Sequence, residues 1–115
     1  MSVLLTGGGF VHNTIKPIIL TLQSLDSFAY VKIGGVKYSA GTYELEPGTK
    51  IEIYATGSYD DYTYVAIRVF DKLVVDAVEA VYTYDTALYP NTNITISSAF
   101  DSSEWQDCVY ITETV

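Results

Sequence analysis

The chain has 115 residues, 14 acidic against 6 basic side chains, a net charge of −8 and 11 tyrosines. That length accommodates one domain, and few charges with many β-branched and aromatic residues exclude a disordered chain and point to sheet. The negative balance argues against nucleic-acid binding, which needs clustered Lys and Arg, and a single cysteine excludes an intrachain disulfide.

The N-terminus carries no signal-peptide pattern. Met1 to Thr6 contains no basic residue, and its apolar run is far shorter than a secretory h-region. The stretch Pro17-Ile18-Ile19-Leu20-Thr21-Leu22 is too short to span a bilayer. The expectation is a chain made and folded in a cytoplasm, with no membrane anchor. Around the flexible Gly7-Gly8-Gly9 lie Val3, Leu4, Leu5, Phe10 and Val11, apolar side chains that a detached tail avoids. Residues 1–25 therefore read as an N-terminal arm plus the first strand, and 26–115 as the main domain. Leu4, Leu5, Gly7, Gly8, Gly9, Phe10 and Val11 are the candidate partner-binding residues of the arm.

Pro17 cannot donate to a sheet ladder, so the first strand starts after it, over Ile18 to Gln23. Phe28 to Ile33 is a second strand, Gly34-Gly35 a two-residue hairpin signal, and Val36-Lys37-Tyr38 the return. Gly41 to Leu45 follows, then Glu46-Pro47-Gly48-Thr49, where Pro presets φ and Gly supplies a positive φ, as a type II turn requires. In Lys50 to Ala55, the side chains of Ile51, Ile53 and Ala55 face one way. Tyr62 to Phe70 reads as the longest strand, with Thr63, Val65, Ile67 and Val69 on one face and Tyr62, Tyr64, Ala66, Arg68 and Phe70 on the other. Asp71-Lys72 reads as a tight turn into Leu73-Val74-Val75. Strands over Glu79 to Tyr84, Asn93 to Ser97 and Cys108 to Thr112 complete the chain. A helix over Lys72 to Ala80 is disfavoured by its β-branched content. The expected fold is all-β, a sandwich of about seven to nine short strands.

Chemistry is sparse. His12 is the sole histidine, with no second His or Cys ligand available to complete a metal site. No Gly-x-Ser-x-Gly elbow offers a nucleophile. Asp60-Asp61, and Asp101 with Glu104 and Asp107, are acidic loops, but neither has the spacing of an EF-hand. No catalytic, cofactor or metal residue is therefore expected. Cys108 reads as a small buried hydrophobe. The tyrosines group at 59–64 and 82–89. Tyr59, Tyr62 and Tyr64 with Trp105 form the candidate ligand-binding surface, since exposed aromatics stack on sugars and are enriched at protein interfaces.

The run Gly34-Gly35-Val36-Lys37-Tyr38, then Gly41 to Leu45 with Glu46-Pro47-Gly48-Thr49 and Lys50 to Ile53, resembles Ig-like β-sandwich modules of the PEGA type. Val81-Tyr82-Thr83-Tyr84 and Thr92 to Ile96 fit the same style, so the resemblance covers about residues 28–97. Such modules also resemble small Ig-like domains on tailed-phage particles. The resemblance implies an Ig-like sandwich of antiparallel strands. Its implied role is a non-enzymatic virion component, such as capsid decoration or a head fibre, assembled in the host cytoplasm. The implied partners are other virion proteins or copies of itself in a multi-copy assembly, without nucleic acid or membrane. The alternative is an Ig-like module that binds carbohydrate or a receptor through surface Tyr and Trp. The Cys…Trp…Cys core of antibody domains is absent.

Overall fold

A computed structural model describes residues 16–57 and 64–114 of the chain. In chain order the strands are β1 (Ile18–Leu22), β2 (Ala29–Ile33), β3 (Val36–Tyr38), β4 (Gly41–Leu45), β5 (Lys50–Thr56), β6 (Val65–Val69), β7 (Lys72–Ala77), β8 (Glu79–Asp85), β9 (Asn93–Asp101) and β10 (Gln106–Glu113). They form a six-stranded sheet ordered β4-β1-β9-β10-β6-β7 and a four-stranded sheet ordered β3-β2-β5-β8. The all-β sandwich expected from composition and alternation is what the chain builds, with ten strands among the described residues rather than seven to nine. Two pairings in the larger sheet, β1 with β9 and β10 with β6, are parallel; the other pairings among the described residues are antiparallel.

Alternation decides which side chains go inside. Ile18, Leu20 and Leu22 of β1 are buried in one core cluster with Ile67, Ile94, Ile96, Val109 and Ile111 of the same sheet and Val31, Ile51, Ile53 and Ala55 of the other. Removing each of these from water stabilises the fold by roughly 1.5–3 kcal/mol before entropy is subtracted. β1 starts directly after Pro17 and is an interior strand of the larger sheet.

Two turns follow their sequence chemistry. Gly34 and Gly35 have φ of 59° and 79°, the two positive values that a type I′ hairpin between β2 and β3 demands. Gly48 has φ of 91°, and the Thr49 amide donates to Glu46 O at 3.1 Å. Thr86 holds this turn from the far side: its buried hydroxyl accepts from the Gly48 amide at 2.8 Å and donates to Thr49 O at 2.9 Å. Thr86 belongs to a 3-10 turn, Thr86–Leu88, capped by Asp85, whose carboxylate accepts from the Ala87 amide at 2.9 Å.

The β6–β7 turn differs from expectation. It is formed by Phe70-Asp71, not Asp71-Lys72, with φ of 49° and 70° and with Val69 opposite Lys72. A left-handed backbone costs a non-glycine residue about 1–2 kcal/mol. The Phe70 amide recovers part of that by donating to Ile111 O at 2.9 Å. The same backbone turn removes Phe70 from the outer row of β6 and packs its ring against the core. Next to it the register slips between Ile67 and Arg68, a bulge that leaves Val74 as the extra residue of β7. Residues 58–63, expected to include the start of the β6 strand, lie outside the described residues. Val65, Ile67 and Val69 do face inward as the alternation requires. Among the described residues the longest strand is β9, with nine residues.

Candidate functional site

Two tyrosine-rich regions were expected from sequence, and the fold treats them differently. At residues 82–89, Tyr84 is fully buried on the inner face of β8. Its ring stacks on Tyr89 at 4.6 Å with an interplanar angle of 11°, and Phe70 stands edge-on to both. The hydroxyls of Tyr82 and Tyr89 are 3.1 Å apart. Burial, followed by the Tyr89 hydrogen bond, pushes the Tyr82 phenol up to about 12; burial also pushes Tyr84 up to about 12. The Tyr84 hydroxyl is buried without a hydrogen-bond partner. Tyr84 is thus part of the core, with Tyr82 and Tyr89 half-buried against it.

At the other region, Tyr59 and Tyr62 lie outside the described residues, as do the arm residues Leu4, Leu5, Gly7, Gly8, Gly9, Phe10 and Val11, and His12. Tyr64 and Trp105 are 50% and 57% exposed. Tyr64 immediately precedes β6 and Trp105 precedes β10; these strands are parallel, so both residues mark the same end of the sheet. Phe100, exposed and at the end of β9, meets Trp105 edge-on with centroids 5.2 Å apart. Trp105 itself has φ of 53°, an uncommon backbone state for a bulky residue. The Asp101 carboxylate fixes this hairpin, accepting from the Ser103 amide at 3.0 Å and the Ser103 hydroxyl at 2.6 Å. Those bonds, led by the hydroxyl, hold the Asp101 carboxyl below its ordinary range. Asp101 thus serves the turn, while Asp107 is buried; among the described residues no group of His, Cys, Asp or Glu side chains is placed to hold a metal. Asp60-Asp61 lies outside the described residues.

Cys108 is buried, as its sequence context implies, but it does not belong to the main core cluster. It pairs across the sheet with Ala66 and Ala99, where small side chains let Tyr110 lie beside it. Burial raises the Cys108 thiol, and the hydrogen bond between them is the first cause that pushes Tyr110 up to about 12.

The sequence reading missed a third aromatic group. Tyr30 of β2 and Tyr54 of β5 are directly opposite and stack at 5.0 Å with an interplanar angle of 10°. The Lys37 ammonium lies 4.9 Å from the Tyr30 ring centre, and Lys32 lies 5.9 and 5.5 Å from the two rings. Lys32 and Lys37 are themselves directly opposite across β2 and β3. Glu52, opposite Lys32, accepts the Tyr54 hydroxyl at 3.2 Å. Burial and then Glu52 raise the Tyr54 phenol above its usual value. Beside this group, the 23–27 and 37–40 connections enclose a groove of about 420 Å³ that Tyr30, Lys37 and Tyr38 line together with Ser24, Ser27 and Ser39.

One strand edge completes the inventory. β7 ends the larger sheet with no other described strand on its outer side. It carries Leu73-Val74-Val75 in succession, and Leu73 is 43% exposed. No helix among the described residues is long and apolar enough to cross a membrane. Compared with known proteins, the chain matches no family model, no curated sequence and no solved structure.

Proposed function

We propose that the protein is a non-enzymatic structural component of a virus particle, an accessory protein that joins its assembly through the N-terminal arm. The β7 edge supports the assembly part of this reading. Natural sheets protect edges with Pro, charge, bulges or cover, because unpaired N–H and C=O groups template further strands. In β7, Lys72 and Asp76 bracket three consecutive apolar residues, and the bulge is the remaining protection. An extended apolar segment such as Val3-Leu4-Leu5 is suited to add there on a neighbouring copy, with main-chain hydrogen bonds supplying affinity and Leu73 supplying side-chain contact. The virion setting rests on the Ig-like resemblance.

Light scattering tests this. The full chain assembles beyond 12.7 kDa, whereas a chain lacking residues 1–16 stays folded and monomeric, and Leu73→Lys weakens assembly without unfolding the sandwich. A truncated chain that assembles like the full one overturns the role of the arm.

A second reading has its own observation. Trp105 is held exposed on a left-handed backbone position that glycine would fill at less cost, beside exposed Phe100 and Tyr64. That arrangement favours a glycan- or receptor-binding tip. Trp105 is the sole tryptophan, so its fluorescence reports binding directly. Saturable quenching by a surface polysaccharide supports this reading, and a flat titration removes it.

A further inference from the structure

Lys32 and Lys37 pose a physical problem that packing does not answer. Like charges directly opposite on neighbouring strands destabilise a sheet. Lys32 stands between Lys37 and Glu52, so it has an acid opposite it on one side, as Lys50 has in Asp85, whereas among the described strands no carboxylate stands opposite Lys37. Both ammonium groups lie against the Tyr30–Tyr54 stack, and Lys37, the one with no acid opposite it, lines the adjoining groove with Tyr30.

We propose that this patch and groove form a binding site for an acidic saccharide, a short segment of a uronate-bearing glycan. A pyranose ring presents a C–H face that stacks on an aromatic ring, hydroxyls that hydrogen-bond to side-chain hydroxyls, and one carboxylate that needs a cation. The site offers each of these: the Tyr30 ring, the hydroxyls of Ser24, Ser27 and Ser39, and the Lys32–Lys37 pair. A groove of about 420 Å³ falls within the range of small-molecule sites. Lys37 covers the face of Tyr30 that Tyr54 does not, and its flexible stem lets it swing from the ring to a carboxylate, freeing that face for the sugar. The ligand's charge is argued to be sparse. Asp26 also lines the groove, and the −8 of the whole chain repels a dense polyanion at long range. Phosphate polymers are better matched by the bidentate fork of Arg, and no Arg is present here.

The site lies on the smaller sheet and the β7 edge on the larger, so the two are tested independently. The test is calorimetric titration of the full chain with oligogalacturonate, a neutral oligosaccharide of the same length, and oligo(dT) of the same charge. Oligogalacturonate binds saturably, more weakly as salt rises, and tighter than either comparison ligand. The double variant Lys32→Gln/Lys37→Gln loses about tenfold or more in affinity. It melts close to the parent, because the repulsion relieved between the lysines offsets the Glu52 pairing lost at Lys32, and it assembles as the parent does. Lys50→Gln, which removes the same charge elsewhere, keeps the affinity. Absence of saturable binding, equal binding by the double variant, or tighter binding of oligo(dT) each overturns the proposal.

Discussion

Among the described residues tyrosine stacks twice, once inside the sandwich and once outside, and the two stacks obey different rules. Tyr84 and Tyr89 stack at 4.6 Å within the core with Phe70 edge-on. Tyr30 and Tyr54 stack at 5.0 Å on the outer face of the smaller sheet under two lysines. The inner stack gains from removing large rings from water but strands one hydroxyl, that of Tyr84, without a partner. The outer stack keeps its hydroxyls near water and spends cross-strand positions on two like charges. A core position is chosen for volume and tolerates a polar defect. An exposed position bears little packing constraint, so unfavourable charge there calls for another reason.

The sharpest separation is in truncation. Tyr84→Ala costs about 3–5 kcal/mol, the range for deleting a buried aromatic ring, whereas Tyr54→Ala costs about 1 kcal/mol or less. Urea unfolding of both variants measures this, and equal losses would break the comparison. Alkaline pH acts on the buried phenols next. Below pH 10 folded and unfolded chains both retain these protons, so stability does not change on their account. From pH 10 to about 12 the unfolded chain releases protons that Tyr82, Tyr84 and Tyr110 keep when folded, so stability falls as pH rises. Melting temperature followed by circular dichroism across that window shows the decline, and Tyr84→Phe makes it shallower. At neutral pH, Tyr84→Phe raises stability by about 1 kcal/mol, since it removes a buried hydroxyl that has no partner. A loss on this substitution would mean that the hydroxyl is satisfied. The smallest effects concern the lysines. Lys37→Gln gains a few tenths of a kcal/mol by relieving repulsion with Lys32, and Lys50→Gln, opposite Asp85, loses a similar amount.

Local chemistry was legible in the sequence, and long-range register was not. The alternation of Ile51, Ile53 and Ala55, the start of β1 after Pro17, and the Gly34-Gly35 and Pro47-Gly48 turns depend on neighbours in the chain, and each forms as read. The Phe70-Asp71 turn escaped because its positive φ values fall on residues that do not advertise them. Its position is settled by the pairing of β6 with β7 and by the space beside Tyr84 and Tyr89. The parallel pairings of β1 with β9 and β6 with β10 join distant segments and leave no local mark. The Tyr30–Tyr54 group was missed for the same reason. Each strand shows an aromatic and a charge two residues apart, but only the β2–β5 register places the rings face to face. Among the residues singled out beforehand, Tyr64 and Trp105 do come to one end of the sheet. Tyr82 and Tyr84 pack inward because they share the face of β8 that carries buried Ala80.

The central claim is that assembly runs through strand addition at β7, and hydrogen exchange tests it at the backbone groups concerned. With increasing protein concentration, the outward amides of Lys72–Ala77 exchange more slowly in the full chain, while those of a chain lacking residues 1–16 do not change. Exchange in β7 that is fast and independent of concentration in the full chain would contradict the account.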